Sequence, residues 1–270
     1  MPKVSVIMAV YNCEKTIKES IDSILSQTYT DWEFIICDDC SSDSTYGIVR
    51  EYETRYPGKI ILIQNNQNSK LPYSLNHCLK FVHGEYVARM DGDDISTPDR
   101  LEKQVAFLDD HPELAVCGTD MMRFDENGEY SLYHSVVNPN KYTLLHEVPY
   151  CHATIMMRAE AYRALNGYTV SPRTVRGQDV DLWFRFYAAG FQGDNIHEAL
   201  YKVREDQAAI RRAGIRSACY VAQTRAIGFR MLNYPKRKYY LVLLPIISEF
   251  VPRKIKLLRR ELIHKKKHRG

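Results

Sequence analysis

The chain has 270 residues, 45% of them hydrophobic and 26% charged, with a formal net charge of +4, which is ordinary for a soluble globular protein. No run of residues approaches the roughly 18 apolar residues that span a bilayer, and the first residues lack a signal-peptide pattern, so we expect a cytosolic protein. Seven scattered cysteines fit reduced thiols better than a disulfide scaffold.

Strands and helices alternate through the first 110 residues. Apolar, β-rich runs predict strands at residues 4–10, 34–37, 60–63 and 86–90. Apolar residues at helical spacing predict helices within residues 17–28, 48–52 and 75–82, and another helix that opens at Pro98. This alternation predicts an α/β fold with a mostly parallel sheet and helices on both faces.

The remainder of the chain is less regular. Strands are predicted at residues 115–124, 130–137 and 154–158, and a helix at residues 181–187. We predict one domain over residues 1–205 and a helical, basic extension over residues 206–270. Glu249 and Glu261 are the only acids from residue 236 onward, against a large excess of cations. These cations are Lys236, Arg237, Lys238, Arg253, Lys254, Lys256, Arg259, Arg260, Lys265, Lys266, Lys267 and Arg269.

Acidic clusters end two of the predicted strands. Asp38-Asp39 follows the second strand and Asp91-Gly92-Asp93-Asp94 follows the fourth, where open α/β sheets bind ligands. Acids that flank one small residue can share a hard cation such as Mg²⁺ or Mn²⁺. Asp and Gly are also favoured in turns for conformational reasons, so a plain acidic turn is the competing interpretation.

The segment from Asp38 to Thr45 has two compatible interpretations. It can be a turn followed by a helix cap, with Asp43 as the capping residue. It can also be a nucleoside pocket, in which Asp39 accepts hydrogen bonds from the base or ribose. Cys37 and Cys40 form a CxxC pair, but no second pair of ligands has zinc spacing, which argues against zinc or redox chemistry.

A third acidic site lies in the segment Gly177-Gln178-Asp179, where a loop runs into an apolar helical pattern. A carboxylate at such a junction can project into a cleft as a general base, or it can cap the helix. His152 precedes another apolar run. A lone histidine of this kind is more often a hydrogen-bonded structural residue than a ligand.

Taken together and in order, these segments resemble the family 2 glycosyltransferases, which have the GT-A fold. The matching segments are residues 4–12, 20–28, Asp38-Asp39 with Ser41 and Asp43, residues 90–94 with 98–101, residues 152–154 and residues 178–183. The likeness covers roughly residues 3–205. It is strongest to the enzymes of bacterial exopolysaccharide and capsule clusters, including those of biofilm operons.

The resemblance implies a role for each matching position. The implied donor-binding residues are Ala9, Tyr11, Asn12, Asp39 and Asp91. Asp93 would hold a divalent metal, Mn²⁺ or Mg²⁺, and Asp179 would be the catalytic base. Asp94, His152 and Gln178 would lie at the donor or acceptor site. Gln178 departs from the Glu-Asp pair that is common in the family, but the acid implied as the base is kept.

The activity that the resemblance implies is inverting glycosyl transfer from a nucleotide-sugar, with UDP as the expected nucleotide. The sugar would be a hexose or an N-acetylhexosamine, and the acceptor a glycan or lipid-linked hydroxyl of exopolysaccharide synthesis. Asp179 would remove the acceptor proton, which is worth about 10² to 10⁴ in rate. A nucleotidyltransferase is the less favoured enzyme, since residues 10–14 form no glycine-rich phosphate loop.

The basic C-terminus suggests a polyanionic partner. Ile255, Leu258 and Leu262 recur at helical spacing among cations, which is typical of helices that lie on anionic membranes. We therefore expect residues 236–270 to hold the protein on the inner face of the cell membrane. A solvated basic face is the alternative, as is a regulator that uses the fold as a scaffold to bind a membrane-associated protein. Nucleic acid is not expected, since the tail lacks interleaved aromatics.

Overall fold

The computed structural model describes residues 1–204 and 214–250 of the chain. Within them the strands are β1 (Val4–Val10), β2 (Trp32–Asp38), β3 (Ile60–Gln64), β4 (Tyr86–Asp91), β5 (Ile95–Ser96), β6 (Val116–Asp125), β7 (Gly128–Tyr133), β8 (Met156–Arg158) and β9 (Gly193–Arg204). The α-helices are α1 (Ile17–Leu25), α2 (Thr45–Arg55), α3 (Leu71–Leu79), α4 (Arg100–Asp110), α5 (Ala159–Ala164), α6 (Gln178–Ala188), α7 (Ile215–Met231) and α8 (Leu244–Glu249).

The described strands all belong to one sheet. Its first half has the order β3-β2-β1-β4, and every neighbour there is parallel. The sheet continues through β8, β6 and β9 to β5, with β7 beside β6. Strands β6 and β9 are parallel, and each antiparallel pair involves β5, β7 or β8. The predicted α/β fold with a mostly parallel sheet is therefore confirmed.

Strands β1, β2 and β4 are buried on both faces, which explains their mostly apolar sequences. Helix α1 turns Ile17, Ile21 and Ile24 toward one face of the sheet, where they join the same apolar cluster as Val6. Ile7 points to the opposite face and belongs to a second cluster, which includes residues of α3, α5 and α6. Helices thus cover both faces, as the alternation predicts.

The helix predicted to open at Pro98 begins two residues later. Helix α4 starts at Arg100 and its N-cap residue is Asp99. The carbonyl of Pro98 accepts a hydrogen bond from the backbone amide of Thr28, at 2.8 Å. This contact with the loop after α1 places Pro98 outside the helix, so the prediction of the helix start was wrong by two residues.

Two predicted strands in the second half are shorter in the structure. The strand predicted at residues 130–137 ends at Tyr133 in β7. The strand predicted at residues 154–158 begins at Met156, since His152–Thr154 forms a short 3-10 turn before it. Strand β9 was not predicted, and it is the longest strand of the described chain.

Helix α7 packs closely on α6, the helix that carries Asp179. A Cβ atom at Gly228 would lie 2.1 Å from the Cγ atom of Phe184, so the two helices can approach this closely only with glycine at this position. Phe229 is fully buried and its ring meets that of Phe184 at a centroid distance of 6.1 Å. Part of the C-terminal region therefore shares the core of the sheet domain.

The division at residue 205 and the basic extension stay predictions. The amphipathic helix predicted around Ile255, Leu258 and Leu262 lies outside the described residues. In residues 1–204 and 214–250, every helix is too short or too polar to cross a membrane.

Candidate active site

The carboxyl ends of β1, β2 and β4 lie side by side at one edge of the sheet. Ala9 on β1 stands in register between Cys37 on β2 and Asp91 on β4. The next residue, Val10, pairs with Asp38, and its carbonyl accepts a hydrogen bond from the amide of Asp39 at 2.8 Å. The structure therefore brings together the predicted donor-binding residues of three different segments.

Asn12 joins the loops that follow β1 and β2. Its backbone has a positive φ of 54°, a conformation that Asn tolerates better than most residues. The Asn12 amide donates to the Ser41 hydroxyl at 3.0 Å, and the Asn12 side-chain oxygen accepts from the Ser42 amide at 2.9 Å. Tyr11 beside it is exposed. Asn12 thus joins the two loops at this edge of the sheet, and the Tyr11 ring remains accessible to a ligand.

Asp39 is buried and its carboxylate accepts three hydrogen bonds from the protein. The donors are the Asn65 side-chain amide at 2.7 Å and the backbone amides of Ser69 and Lys70, both at 2.8 Å. Lys70 has a positive φ of 72° and directly precedes α3. Asp39 therefore holds the loop before α3 against the end of β2, in addition to any contact with a base.

Asp43 binds the start of α2, but the N-cap residue is Ser44 and not Asp43, so the predicted cap was wrong by one residue. The Asp43 carboxylate accepts from the backbone amides of Thr45, the first helical residue, at 3.0 Å and of Glu14 at 3.1 Å. Burial acts in the opposite direction, but these hydrogen bonds keep the pKa of Asp43 below its usual value.

The acidic turn after β4 places its three carboxylates in three different environments. Asp91 is partly exposed and forms an ion pair with Arg89. Asp93 is exposed, and it has no ion-pair partner within the described residues. Asp94 is buried and accepts from the Arg204 amide at 2.9 Å. A Cβ atom at Gly92 would lie 2.7 Å from the Val10 side chain, so the tight turn requires a glycine there.

The electrostatics of this turn favour binding of a positive charge. Surrounding protein atoms and the negative charge of Asp91 raise the pKa of Asp93 to about 6. Burial, with the charges of Asp91 and Asp93, raises the pKa of Asp94 well above its usual value. Asp93 is thus open to solvent, yet enough protein atoms surround it to disfavour its negative charge. A cation bound there would relieve the repulsion.

The residues present fit a divalent metal that is shared with a ligand. Within the described residues, no three His, Cys, Asp or Glu side chains form a cluster that could hold a metal ion by itself. Mg²⁺ and related ions are commonly held by one or two carboxylates together with phosphate oxygens of the substrate. Asp93 is the free carboxylate suited to this arrangement, and Asp91 lies two residues away.

Strand β9 holds the acidic turn in place through hydrogen bonds that the sequence did not predict. The Tyr201 hydroxyl accepts from the Asp91 amide at 3.0 Å and also bonds the Asp94 carboxylate. The Arg204 side chain donates to the Asp93 carbonyl at 3.0 Å. These contacts join residues about 110 positions apart, so no local pattern could have revealed them. The long strand therefore fixes the geometry of the turn.

Arg89 is a second functional residue that the sequence did not single out. Its side chain is only 2% exposed and it pairs with Asp91. Burial alone would lower the pKa of this guanidinium, but the charge of Asp91 raises it. The same positive charge opposes the rise in the pKa of both Asp93 and Asp179 without cancelling it. An arginine in an otherwise apolar strand was the available signal, and its charge acts on both the predicted metal ligand and the predicted base.

Asp179 lies in the first turn of α6, after Gly177, whose φ is 91°. Burial raises the pKa of its carboxyl, against the backbone amides of the helix start and the charge of Arg89. Gln178 begins the helix and is half-buried. In contrast, Asp181 is tied to Arg173 at 2.6 Å and Arg185 at 2.9 Å, so it stabilises the helix start. Asp179, and not Asp181, is therefore the acid of this segment whose raised pKa suits a general base.

His152 is buried in an aromatic cluster. Its Nε2 atom lies 3.0 Å from the Tyr168 hydroxyl, and its ring meets Trp183 edge-on. Its Nδ1 atom is buried without a hydrogen-bond partner. Burial, with the charge of Arg89, lowers the pKa of His152 well below its usual value, so the ring is neutral. These contacts agree with the structural interpretation of this residue, and a direct role at the donor or acceptor site stays a prediction.

The order of the strands and the parallel first half of the sheet define a GT-A fold. The family described as Glycosyl transferase family 2 matches residues 5–165, which is more than half of the chain. A relative from Bacillus subtilis (strain 168), EpsE, is named as a candidate glycosyltransferase. It is 49% identical over 93% of this chain and 90% of its own length. The chain belongs to glycosyltransferase family 2.

Further comparisons agree with this assignment. An Escherichia coli protein named UDP-Glc:α-D-GlcNAc-diphosphoundecaprenol β-1,3-glucosyltransferase WfaP is 38% identical over 40% of this chain and 42% of its own length. The structure of S. aureus TarS with UDP-GlcNAc matches with a TM-score of 0.69 and 21% identity, covering 92% of this chain and 72% of that one. The Pyrobaculum calidifontis mannosyltransferase PcManGT, solved with GDP-Man and Mn²⁺, matches at 0.62 and 19%, covering 97% and 80%.

Proposed function

We propose that the chain is an inverting glycosyltransferase that moves a hexosyl or N-acetylhexosaminyl unit from a UDP-sugar to a hydroxyl of a polysaccharide or lipid-linked acceptor. The observation that carries this proposal is the acidic turn, where Asp93 stays unpaired within the described residues while β9 fixes the backbone around it. UDP-GlcNAc in TarS, and UDP-Glc and diphosphoundecaprenol in the name of WfaP, support the donor and acceptor classes.

Asp93, with Asp91 beside it, would hold Mn²⁺ or Mg²⁺ against the donor diphosphate. A divalent ion in that position neutralises charge on the leaving diphosphate as a Lewis acid. The Mn²⁺ in PcManGT supports this assignment. Ala9, Tyr11 and Asn12 would line the nucleoside site at the sheet edge. Asp39 would contact the base through the lone pairs that its three protein donors leave free.

Asp179 would act as the general base. Its carboxylate takes the proton from the acceptor hydroxyl while that oxygen attacks the anomeric carbon and the bond to the diphosphate breaks. A single displacement inverts the configuration and requires no second nucleophilic acid. The β linkage in the name of WfaP supports inversion, because UDP-glucose carries its sugar as the α-anomer. Asp94, Gln178 and His152 would lie at the donor or acceptor site.

Binding and hydrolysis of a panel of UDP-, GDP- and dTDP-sugars, with Mn²⁺ or Mg²⁺ and then with EDTA, test the proposal. We expect metal-dependent turnover of one UDP-sugar, lost in Asp93→Ala. Asp110→Ala is the matched control, because Asp110 is an exposed acid at the end of α4. Failure of the folded wild-type protein to bind any donor would contradict the proposal and favour the scaffold alternative.

A further inference from the structure

The segment Lys236–Glu249, with Phe250 after it, packs on the transferase core through one side only. Leu241 and Val242 are buried in the core cluster, and the Tyr239 ring meets the Phe229 ring at 5.7 Å. The other side presents large apolar side chains to solvent. They are Tyr240, Leu243, Leu244, Ile247 and Phe250, which we call the exposed apolar face.

This face is unusual within the described residues. Its side chains are between 43% and 77% exposed, and they fall within eleven consecutive positions. The other exposed large hydrophobic residues of the described chain are dispersed along its length. Isolated exposed apolar side chains are common on soluble proteins, whereas a contiguous set indicates a surface that is covered by a partner.

The positive charges beside the exposed apolar face indicate what kind of partner covers it. Lys236, Arg237 and Lys238 directly precede it, and none of them has an ion-pair partner in the part of the chain that the structure describes. A second copy docked through the same face would bring the same cations together. Residues 251–270 carry further cations, so covering the face with this segment would add like charge beside Lys236–Lys238.

We propose that the exposed apolar face inserts into an anionic lipid bilayer, with Lys236, Arg237 and Lys238 against the headgroups. Interfacial segments of this kind bury their apolar side about 5–10 Å below the headgroup level, and tyrosine is favoured at that boundary. Each cation near an anionic surface strengthens binding about fivefold. This mode differs from attachment by the basic tail alone, because it depends on apolar side chains that the core holds in place.

Co-sedimentation of the full chain with phosphatidylglycerol-containing vesicles tests the proposal. We expect binding to weaken by at least about tenfold in the double variant Leu243→Glu, Ile247→Glu. Both residues are exposed, so folding should be unaffected and is checked by thermal unfolding. Val137→Glu, at another exposed apolar position, is the matched control and should bind like the wild type. Undiminished binding of the double variant would overturn the proposal in favour of the tail.

A second measurement reports the location of the face directly. The native Trp32 and Trp183 are buried, so a Phe250→Trp variant adds an indole whose environment can be followed. We expect a blue shift of its emission with anionic vesicles and quenching by brominated lipid. No shift with vesicles would overturn the proposal, and self-association that the double variant abolishes would then identify a second copy as the occupant.

Discussion

The acids that follow β2 differ from Asp93 after β4 and Asp179 in the first turn of α6 in whether they join separate loops of the protein. Asp39 accepts three hydrogen bonds, and Asp43 accepts two from backbone amides. Asp93 and Asp179 have raised pKa values, with burial as the main cause. Acids satisfied by the protein hold loops in place, whereas acids left in a desolvated site are available to a metal or a substrate proton.

The largest effect is expected for Asp179→Asn, which removes a base but keeps the shape of the side chain. Sugar transfer should fall by about 10² to 10⁴, while donor affinity is retained. Because burial raises the pKa of Asp179, the acidic limb of the kcat profile in the wild type should lie above the range of an ordinary aspartate. Steady-state kinetics and calorimetric donor binding measure the two quantities separately.

Gln178→Glu is the companion variant for that experiment. It restores the Glu-Asp pair common in the family and leaves Asp179 in place. Transfer should stay within about tenfold of wild type, since the change alters charge near the base and removes no reacting group. Full activity in Asp179→Asn would contradict the assignment of the base, whatever the companion does.

Asp39→Asn should affect stability more than chemistry. Asparagine matches the shape of aspartate but replaces one acceptor oxygen with a donor, which then faces the Asn65 amide, the Ser69 amide or the Lys70 amide. We expect a loss of about 1–3 kcal/mol in the free energy of unfolding, measured by urea denaturation. Asp22→Asn is the control, because Asp22 accepts a single bond from the Tyr52 hydroxyl. Equal stability of the two variants would contradict the inference that Asp39 holds the loop before α3 in place.

Tyr201→Phe tests how β9 supports the acids after β4. The change leaves the Asp91 amide and the buried Asp94 carboxyl without this hydroxyl. The expected cost is about 1 kcal/mol of stability, with a raised KM for the donor and a smaller change in kcat. Tyr187→Phe, which removes a hydroxyl bonded to Tyr150, is the control and should leave KM unchanged. If both variants behave alike, the hydroxyl of Tyr201 does not position the turn.

The first half of the fold could be predicted because β1, β2 and β4 are buried on both faces, so most of their residues are apolar. The second half could not, since β9 alternates irregularly between buried and exposed residues and its ladder with β6 is interrupted at Asp120. The partners of β9 on β6 also lie far away in the sequence. No local pattern encodes a pairing of that kind.

The candidate site divides in the same way. Asp91, Asp93 and Asp179 could be proposed because acids at strand ends and at a loop–helix junction are visible in the sequence. Arg89 and Tyr201 could not, because their function depends on which carboxylate they meet in three dimensions. The hydrogen bonds that distinguish Asp39 from Asp93 are likewise tertiary contacts. Residue type therefore located the acids, and only the structure separated those that hold loops from those left available.

The smallest expected effect is a gain of stability in metal-free Asp93→Asn. The pKa of Asp93 is raised from 3.8 to about 6 in the folded protein. The folded state therefore binds more protons than the unfolded state between these values, and the stability of the wild type falls as pH rises through that window. Above about pH 6 the penalty is constant, and asparagine removes it. Because the side chain is exposed, solvent screening limits the gain to about 1 kcal/mol or less.

Thermal unfolding in EDTA at pH 7.5 and at pH 4 checks this prediction. The melting temperature of Asp93→Asn should exceed that of the wild type at pH 7.5, and the difference should shrink at pH 4, where the wild-type carboxyl is protonated in the folded state. Mn²⁺ added together with UDP should reverse the order at pH 7.5, since joint binding to the folded wild type stabilises it and the variant lacks the carboxylate. A variant less stable than the wild type in EDTA would place Asp93 with Asp39, among the acids that hold the structure together.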